Sequence, residues 1–169
     1  MKTPLVLFAS AAMFLAACNS SNQKEAAPAT DSAATEAAPA EAVSPEALVT
    51  ISGGDDMKFD LTEIKVKEGQ TVKLTLKHVG KTPVTAMGHN FVLLVAGANL
   101  ENFATEAIKA KDTDYIPQSM VNDVIAHTKT IGGGESTEIE FPAPAKGTYD
   151  FLCSFPGHSA MMKGKFIVE

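Results

Sequence analysis

The stretch Cys153-Ser154-Phe155-Pro156-Gly157-His158-Ser159-Ala160-Met161-Met162 sets a thiol, an imidazole and two thioethers in one short loop. Such a loop can hold a single soft metal ion. Sulfur and imidazole donors suit copper, zinc rarely recruits a thioether, and calcium or magnesium require oxygen. A second imidazole stands upstream in Met87-Gly88-His89-Asn90, so the two segments offer two His, one Cys and a Met. Donors so far apart in the chain must be gathered by a fold that brings distant strand ends together.

The residues around the loop predict such a fold. Thr71-Val72-Lys73-Leu74-Thr75-Leu76-Lys77-His78 alternates with period two, placing Val72, Leu74, Leu76 and His78 on one face of a half-buried strand. Phe91 to Val95 is a continuous apolar run, the pattern of a central strand. Further strands are expected at Leu48 to Ser52, Glu63 to Val66, Asp123 to His127, Ser136 to Phe141, Thr148 to Ser154 and Lys165 to Val168. Turn chemistry separates them at Gly53-Gly54-Asp55-Asp56, Gly132-Gly133-Gly134 and Pro142 to Gly147. One segment breaks the pattern. Leu100, Phe103, Ala104, Ala107 and Ile108 recur at helical spacing behind Asn99 as a cap, which predicts one helix at about 99–110. Asp112 to Ser119 reads as loop. The expected fold is all-β, an antiparallel Greek-key β-sandwich with one inserted helix.

Cys153 would close a strand, with Pro156 and Gly157 stiffening and turning the loop so that His158 faces back to the sulfur. Cys153 as thiolate and His89 and His158 as neutral imidazoles would form a trigonal plane, with a methionine as a weak axial donor: the ligand set of a blue-copper electron-transfer centre. The Asn90 amide is placed to hydrogen-bond near the thiolate and tie the two ligand segments together.

The spacing Cys-x4-His-x3-Met, the phrase Cys-x-Phe-Pro-Gly-His-Ser-Ala, Met-Gly-His-Asn and Val124-Ile125-Ala126-His127-Thr128-Lys129 resemble azurin, a small bacterial cupredoxin. The resemblance covers about residues 48 to 169. It implies Met162 rather than Met161 as the axial sulfur, with the carbonyl of Gly88 on the opposite side of the ion. It also implies that Met57, Met87, Phe155, Pro156, Ala160 and Met161 form an apolar collar around the edge of His158, a small docking face for transient partners. The helix corresponds to the flap of azurins. His78 is expected to fill the core beside the site and His127 to be solvated. Phe91 stands where many azurins have tryptophan, and the chain has no Trp. Azurins usually carry a disulfide from the first strand, but the matching regions, near Ala47 and Gly69-Gln70, contain no cysteine.

The chain's other cysteine is Cys18. Lys2 followed by an apolar run from Leu5 to Ala17 reads as an export signal over residues 1–17, too short for a transmembrane helix. Leu15-Ala16-Ala17-Cys18 resembles a bacterial lipobox, which makes Cys18 the expected lipid attachment, and Asn19 rather than aspartate after it favours the outer membrane of a Gram-negative envelope. Residues 18–46 are rich in Ala, Pro and Glu and lack aromatics, so they cannot bury enough surface to offset ordering entropy. They read as a disordered tether spanning roughly 30 Å as a coil and about 85 Å at full stretch. Residues 47–169 then form one copper domain on the periplasmic side. With Cys18 lipidated and Cys153 on a metal, no thiol remains for a bridge.

The net charge of −6 and the absence of arginine argue against nucleic-acid recognition, which relies on basic patches and guanidinium contacts. The expected protein is not an enzyme but a monomeric, tethered carrier cycling Cu(I)/Cu(II) between redox proteins such as c-type cytochromes or periplasmic reductases. The alternative is copper storage, delivery or tolerance. A cysteine hydrolase would need a separately oriented base and an oxyanion site, and no such constellation is visible.

Overall fold

The computed structural model describes residues 44–169. The expected signal segment, Cys18 and the tether up to residue 43 lie outside the described residues. Among the described residues, eight strands form two sheets. β1 (Glu46–Gly53), β3 (Thr71–His78) and β6 (Ser136–Pro142) make one, in the order β1-β3-β6. The other holds β2 (Glu63–Val66), β4 (Val92–Leu94), β5 (Val124–His127), β7 (Gly147–Leu152) and β8 (Lys163–Val168), in the order β2-β8-β7-β4-β5. The chain crosses between sheets after β1, β2, β3, β5 and β6, which gives the Greek-key sandwich.

The expectation of a wholly antiparallel sandwich is corrected. β1 pairs with β3 in parallel, Glu46 against Thr71 through Gly53 against His78, and β2 pairs with β8 in parallel. β1 and β3 are joined through β2 of the opposite sheet and β2 is separated from β8 by five strands, so neither pair is closed by a tight hairpin, which would enforce antiparallel pairing.

β3 buries Val72, Leu74, Leu76 and His78 as its alternation predicts. All three residues of β4 are buried, for a reason the apolar run left open. Leu93, with Phe91 just before the strand, faces the main core between the sheets, whereas Val92 and Leu94 face Phe103 of the helix α2 (Leu100–Ala107), with Ile116 and Leu152. The helix therefore covers the outer face of the larger sheet. Its N-terminus is capped as expected, Asn99 Oδ1 accepting from the Asn102 N–H at 2.9 Å. Phe91, fully buried, packs on Phe151 at 5.2 Å between ring centroids.

Two features were not anticipated. A single helical turn, α1 (Val84–Met87), leads into Gly88, and short 3-10 turns form at Lys111–Thr113 and Gln118–Asp123. Both are too short for periodicity to reveal.

The registers define two poles. At one, the ends of β1, β3, β5 and β7 meet the starts of β4, β6 and β8: Gly53 pairs with His78, Lys77 with Ser136, Val92 with both His127 and Leu152, and Leu152 with Lys163. At the other, Glu46 pairs with Thr71, Thr71 with Pro142 and Gly147 with Val168. His89, Cys153 and Met162 each adjoin a strand end at the first pole.

Candidate metal centre

Cys153 follows the last residue of β7, and its N–H donates to the Met162 carbonyl at 2.9 Å, closing the loop where β8 begins. Within that loop the N–H groups of Met161 and Met162 both donate to the His158 carbonyl, at 3.0 and 2.8 Å, winding it tightly around the histidine. Gly157, with φ of 83°, takes the left-handed conformation that glycine allows, within this loop. His89 comes from the opposite direction. Its backbone is pinned to Ile131 by two hydrogen bonds of 2.9 Å, a bridge just before β4.

These pieces bring three donors together, with Cys153 Sγ and one ring nitrogen each from His89 and His158 all within 4.8 Å of one another. The two Nδ1 atoms are 3.2 Å apart, and Sγ lies 4.0 Å from His89 Nδ1 and 3.6 Å from His158 Nδ1. A planar three-donor site with metal–nitrogen bonds of about 2.0 Å and a metal–sulfur bond of about 2.3 Å has edges of about 3.5 and about 3.7 Å. The triangle fits one first-row ion to within a few tenths of an ångström.

Protonation also favours metal binding. Burial holds both imidazoles below the usual histidine range, His158 down to about 4 with help from the neighbouring His89 and His78. Both rings are therefore neutral at neutral pH. His89 Nε2 lies 2.9 Å from the Gly54 carbonyl and must carry the proton there, so the Nδ1 lone pair is left facing Cys153. Burial pushes the Cys153 thiol up to about 12, against the opposing backbone N–H groups of Asn90 and Phe155. A fully buried thiol with no cationic side chain at the sulfur among the described residues is a poor nucleophile, and a bound metal ion would be the agent that displaces its proton.

His78 stacks on His89 with centroids 4.2 Å apart and an interplanar angle of 15°. Its Nε2 meets the Met87 carbonyl at 2.7 Å and its Nδ1 accepts from the Gly80 N–H at 3.1 Å, so both ring nitrogens are spent on backbone. His127 is exposed, and its ring Nδ1 lies 3.1 Å from the Thr128 carbonyl.

The other expected site residues fall as follows. Met162 is fully buried while Met161 is 53% exposed. The Gly88 carbonyl lies 3.9 Å from Sγ. Asn90 links the His89 segment to the Cys153 segment: Oδ1 accepts from the Ser154 N–H, and Nδ2 donates to Ser154 Oγ and to the Asp114 carbonyl, all at 2.8 Å. Met57, Met87 and Pro156 are half-buried and Ala160 is exposed. Phe155 departs from the expectation. It is buried, wedged between the Tyr115 ring and His158 at 5.0 and 4.7 Å, so it supports the histidine from within rather than forming open surface.

A model of copper-binding proteins of the plastocyanin/azurin family matches residues 45–169. The chain belongs to this family. Among related cupredoxins, azurin of Pseudomonas fluorescens biotype C is 42% identical over 124 residues, covering 70% of this chain and 95% of that one. Outer membrane protein H.8 of Neisseria gonorrhoeae is 40% identical over 120 residues, covering 69% of this chain. The match spans only 64% of the H.8 protein's own length. Among solved structures, reduced auracyanin of Roseiflexus castenholzii superposes with a TM-score of 0.65 at 35% identity, covering 76% of this chain and 99% of that one. One copper ion is the cofactor of this cupredoxin, and the sulfur-and-imidazole triangle described above fits it.

Proposed function

We propose that this protein is a blue-copper electron carrier whose ion His89, Cys153 and His158 would hold, with Met162 and the Gly88 carbonyl as additional weak donors. The observation that carries this reading is the convergence of three buried donors from two strand ends and one loop within 4.8 Å. When bound, copper supplies a one-electron Cu(I)/Cu(II) couple. The chain keeps its donors in place whichever charge the site holds. His89 is fixed by Gly54, Ile131 and the stacked His78, and Cys153 by Met162 and the Asn90 network. Little rearrangement accompanies electron gain or loss.

Storage or delivery of copper is the competing use, and it requires release. Cys153 and His89 have no exposed surface and His158 only 3%, which favours retention. Rapid copper loss to a mild chelator, together with sluggish electron self-exchange, would reverse the preference.

His158 is the donor nearest the surface, and Met57, Met87, Pro156, Ala160 and Met161 form the apolar rim around it. A transient partner such as a c-type cytochrome or a periplasmic reductase docks there, with this protein acting as a monomer and not as an enzyme. Small apolar contacts suit rapid turnover. Lipidation of Cys18 would place the domain on the outer membrane, a location supported by the lipobox-like sequence and the name of the H.8 relative. The Pro45 carbonyl accepts from the Thr71 N–H at the pole opposite His89, so the described residues begin at the end of the sandwich away from the candidate metal site. Fractionation of wild type against Cys18→Ala tests the anchor, and unchanged membrane association would argue against it.

A further inference from the structure

The segment Asp112–Ser119, expected to be simple loop, contains two consecutive non-glycine residues in the left-handed region, Asp114 with φ 55° and Tyr115 with φ 59°. Side chains with a Cβ rarely adopt this conformation, and two in succession persist only where the surroundings over-determine them. Here they do. The Asp114 carbonyl accepts from Asn90 Nδ2 at 2.8 Å and the Tyr115 carbonyl accepts from Ser154 Oγ at 2.9 Å. Asp114 Oδ1 accepts from the Thr130 N–H at 2.7 Å, and the Tyr115 ring packs on Phe155.

In an extended chain successive carbonyls point to opposite sides, so both could not reach the Asn90–Ser154 pair. The left-handed pair aims both inward. Through three hydrogen bonds it grips three segments: Asn90 beside His89, Ser154 beside Cys153, and Thr130 beside Ile131, whose backbone holds His89. Asn90 and Ser154 are the immediate chain neighbours of His89 and Cys153. Hydrogen bonding around a copper-bound thiolate tunes its potential, so displacement of Asn90 or Ser154 is felt at the metal.

We propose that the Asp114–Tyr115 turn is a clamp that sets the direction of the Cys153 sulfur relative to His89, with Asp114 as the positioning residue. The effect on copper rests on the electron-carrier reading above; the clamp itself belongs to the polypeptide. The experiment uses full-length protein carrying Asp114→Ala, Asp114→Asn or Asp114→Gly. In the metal-free state, amide hydrogen exchange is followed at Thr130 and Ser154; in the copper-loaded state, the thiolate-to-copper absorption band and the reduction potential are measured.

The alanine variant should exchange both amides roughly tenfold faster, the loss expected for a buried hydrogen bond, and should shift both band and potential. Asparagine keeps an acceptor oxygen and tolerates the left-handed conformation, so it should restore wild-type behaviour. Glycine keeps the turn without the carboxylate, so Thr130 alone should lose protection. A lower melting temperature in Asp114→Ala with unchanged exchange, band and potential would show a merely structural role and overturn the proposal. If that variant does not fold, Asp114→Gly decides: wild-type protection at Thr130 would overturn it. Absence of a thiolate band in copper-loaded wild type would remove the copper reading, while the exchange results would still judge the clamp.

Discussion

Gly53 lies directly against Met162: a Cβ on Gly53 would come within 2.8 Å of Met162 Cε and 3.0 Å of His89 Cδ2. The end of β1 is therefore the floor on which the Met162 thioether and the His89 imidazole both rest. In Gly53→Ala the methionine tip can give way, whereas the His89 ring is held by Gly54 and His78. The variant should fold, lose about 1 kcal/mol of stability, and shift its visible spectrum and reduction potential through a displaced Met162. Chemical denaturation beside a spectrum of the copper form checks this; an unchanged spectrum would mean that Met162 contributes nothing at the metal.

Gln70 occupies a region where azurins carry a disulfide, and its side chain makes a different clasp. Nε2 donates to the Ser44 carbonyl and Oε1 accepts from the Lys67 N–H, both at 2.7 Å, while the Thr71 N–H reaches Pro45. Gln70→Ala should lower stability by about 1–2 kcal/mol and loosen the start of β1, leaving the copper spectrum unchanged because the site is at the other pole. Urea denaturation and proteolysis near residue 44 measure it.

Asp55 joins the turn after β1 to the segment before α1. Its carboxylate accepts from the Lys81 and Thr82 N–H groups at 2.9 and 3.3 Å, and the Lys81 bond is the main reason its pKa lies below the ordinary carboxylate value. A depressed carboxylate contributes stability above its unfolded pKa of about 4 and loses that contribution as pH falls through the folded value. Wild type should therefore lose stability below about pH 4 more steeply than Asp55→Asn. Urea midpoints between about pH 3 and 6 for the two proteins give the comparison, and parallel curves would rule out this linkage.

The period-two pattern of β3 and the cap at Asn99 were legible because each is written in neighbouring residues. The ligand loop was legible because its donors have a chemistry that few other residue sets share. Parallel pairing of β1 with β3 was not, since strand direction depends on which sheet receives β2, a tertiary matter. The burial of Phe155 depends on Tyr115, forty residues away in sequence and placed there by a left-handed turn that has no glycine to announce it. Asn90 stands next to His89 in the sequence, but one of its hydrogen-bond partners, the Asp114 carbonyl, belongs to a loop with no visible pattern.

The central claim, that Cys153, His89 and His158 hold one copper ion in a thiolate-centred electron-transfer site, is tested most directly by visible and electron-paramagnetic-resonance spectra of the copper-loaded protein beside Cys153→Ser. The account predicts one copper per chain, an intense visible thiolate-to-copper band in wild type, and loss of that band in the variant. A weak tetragonal Cu(II) spectrum in wild type, or a blue colour that survives Cys153→Ser, would contradict it.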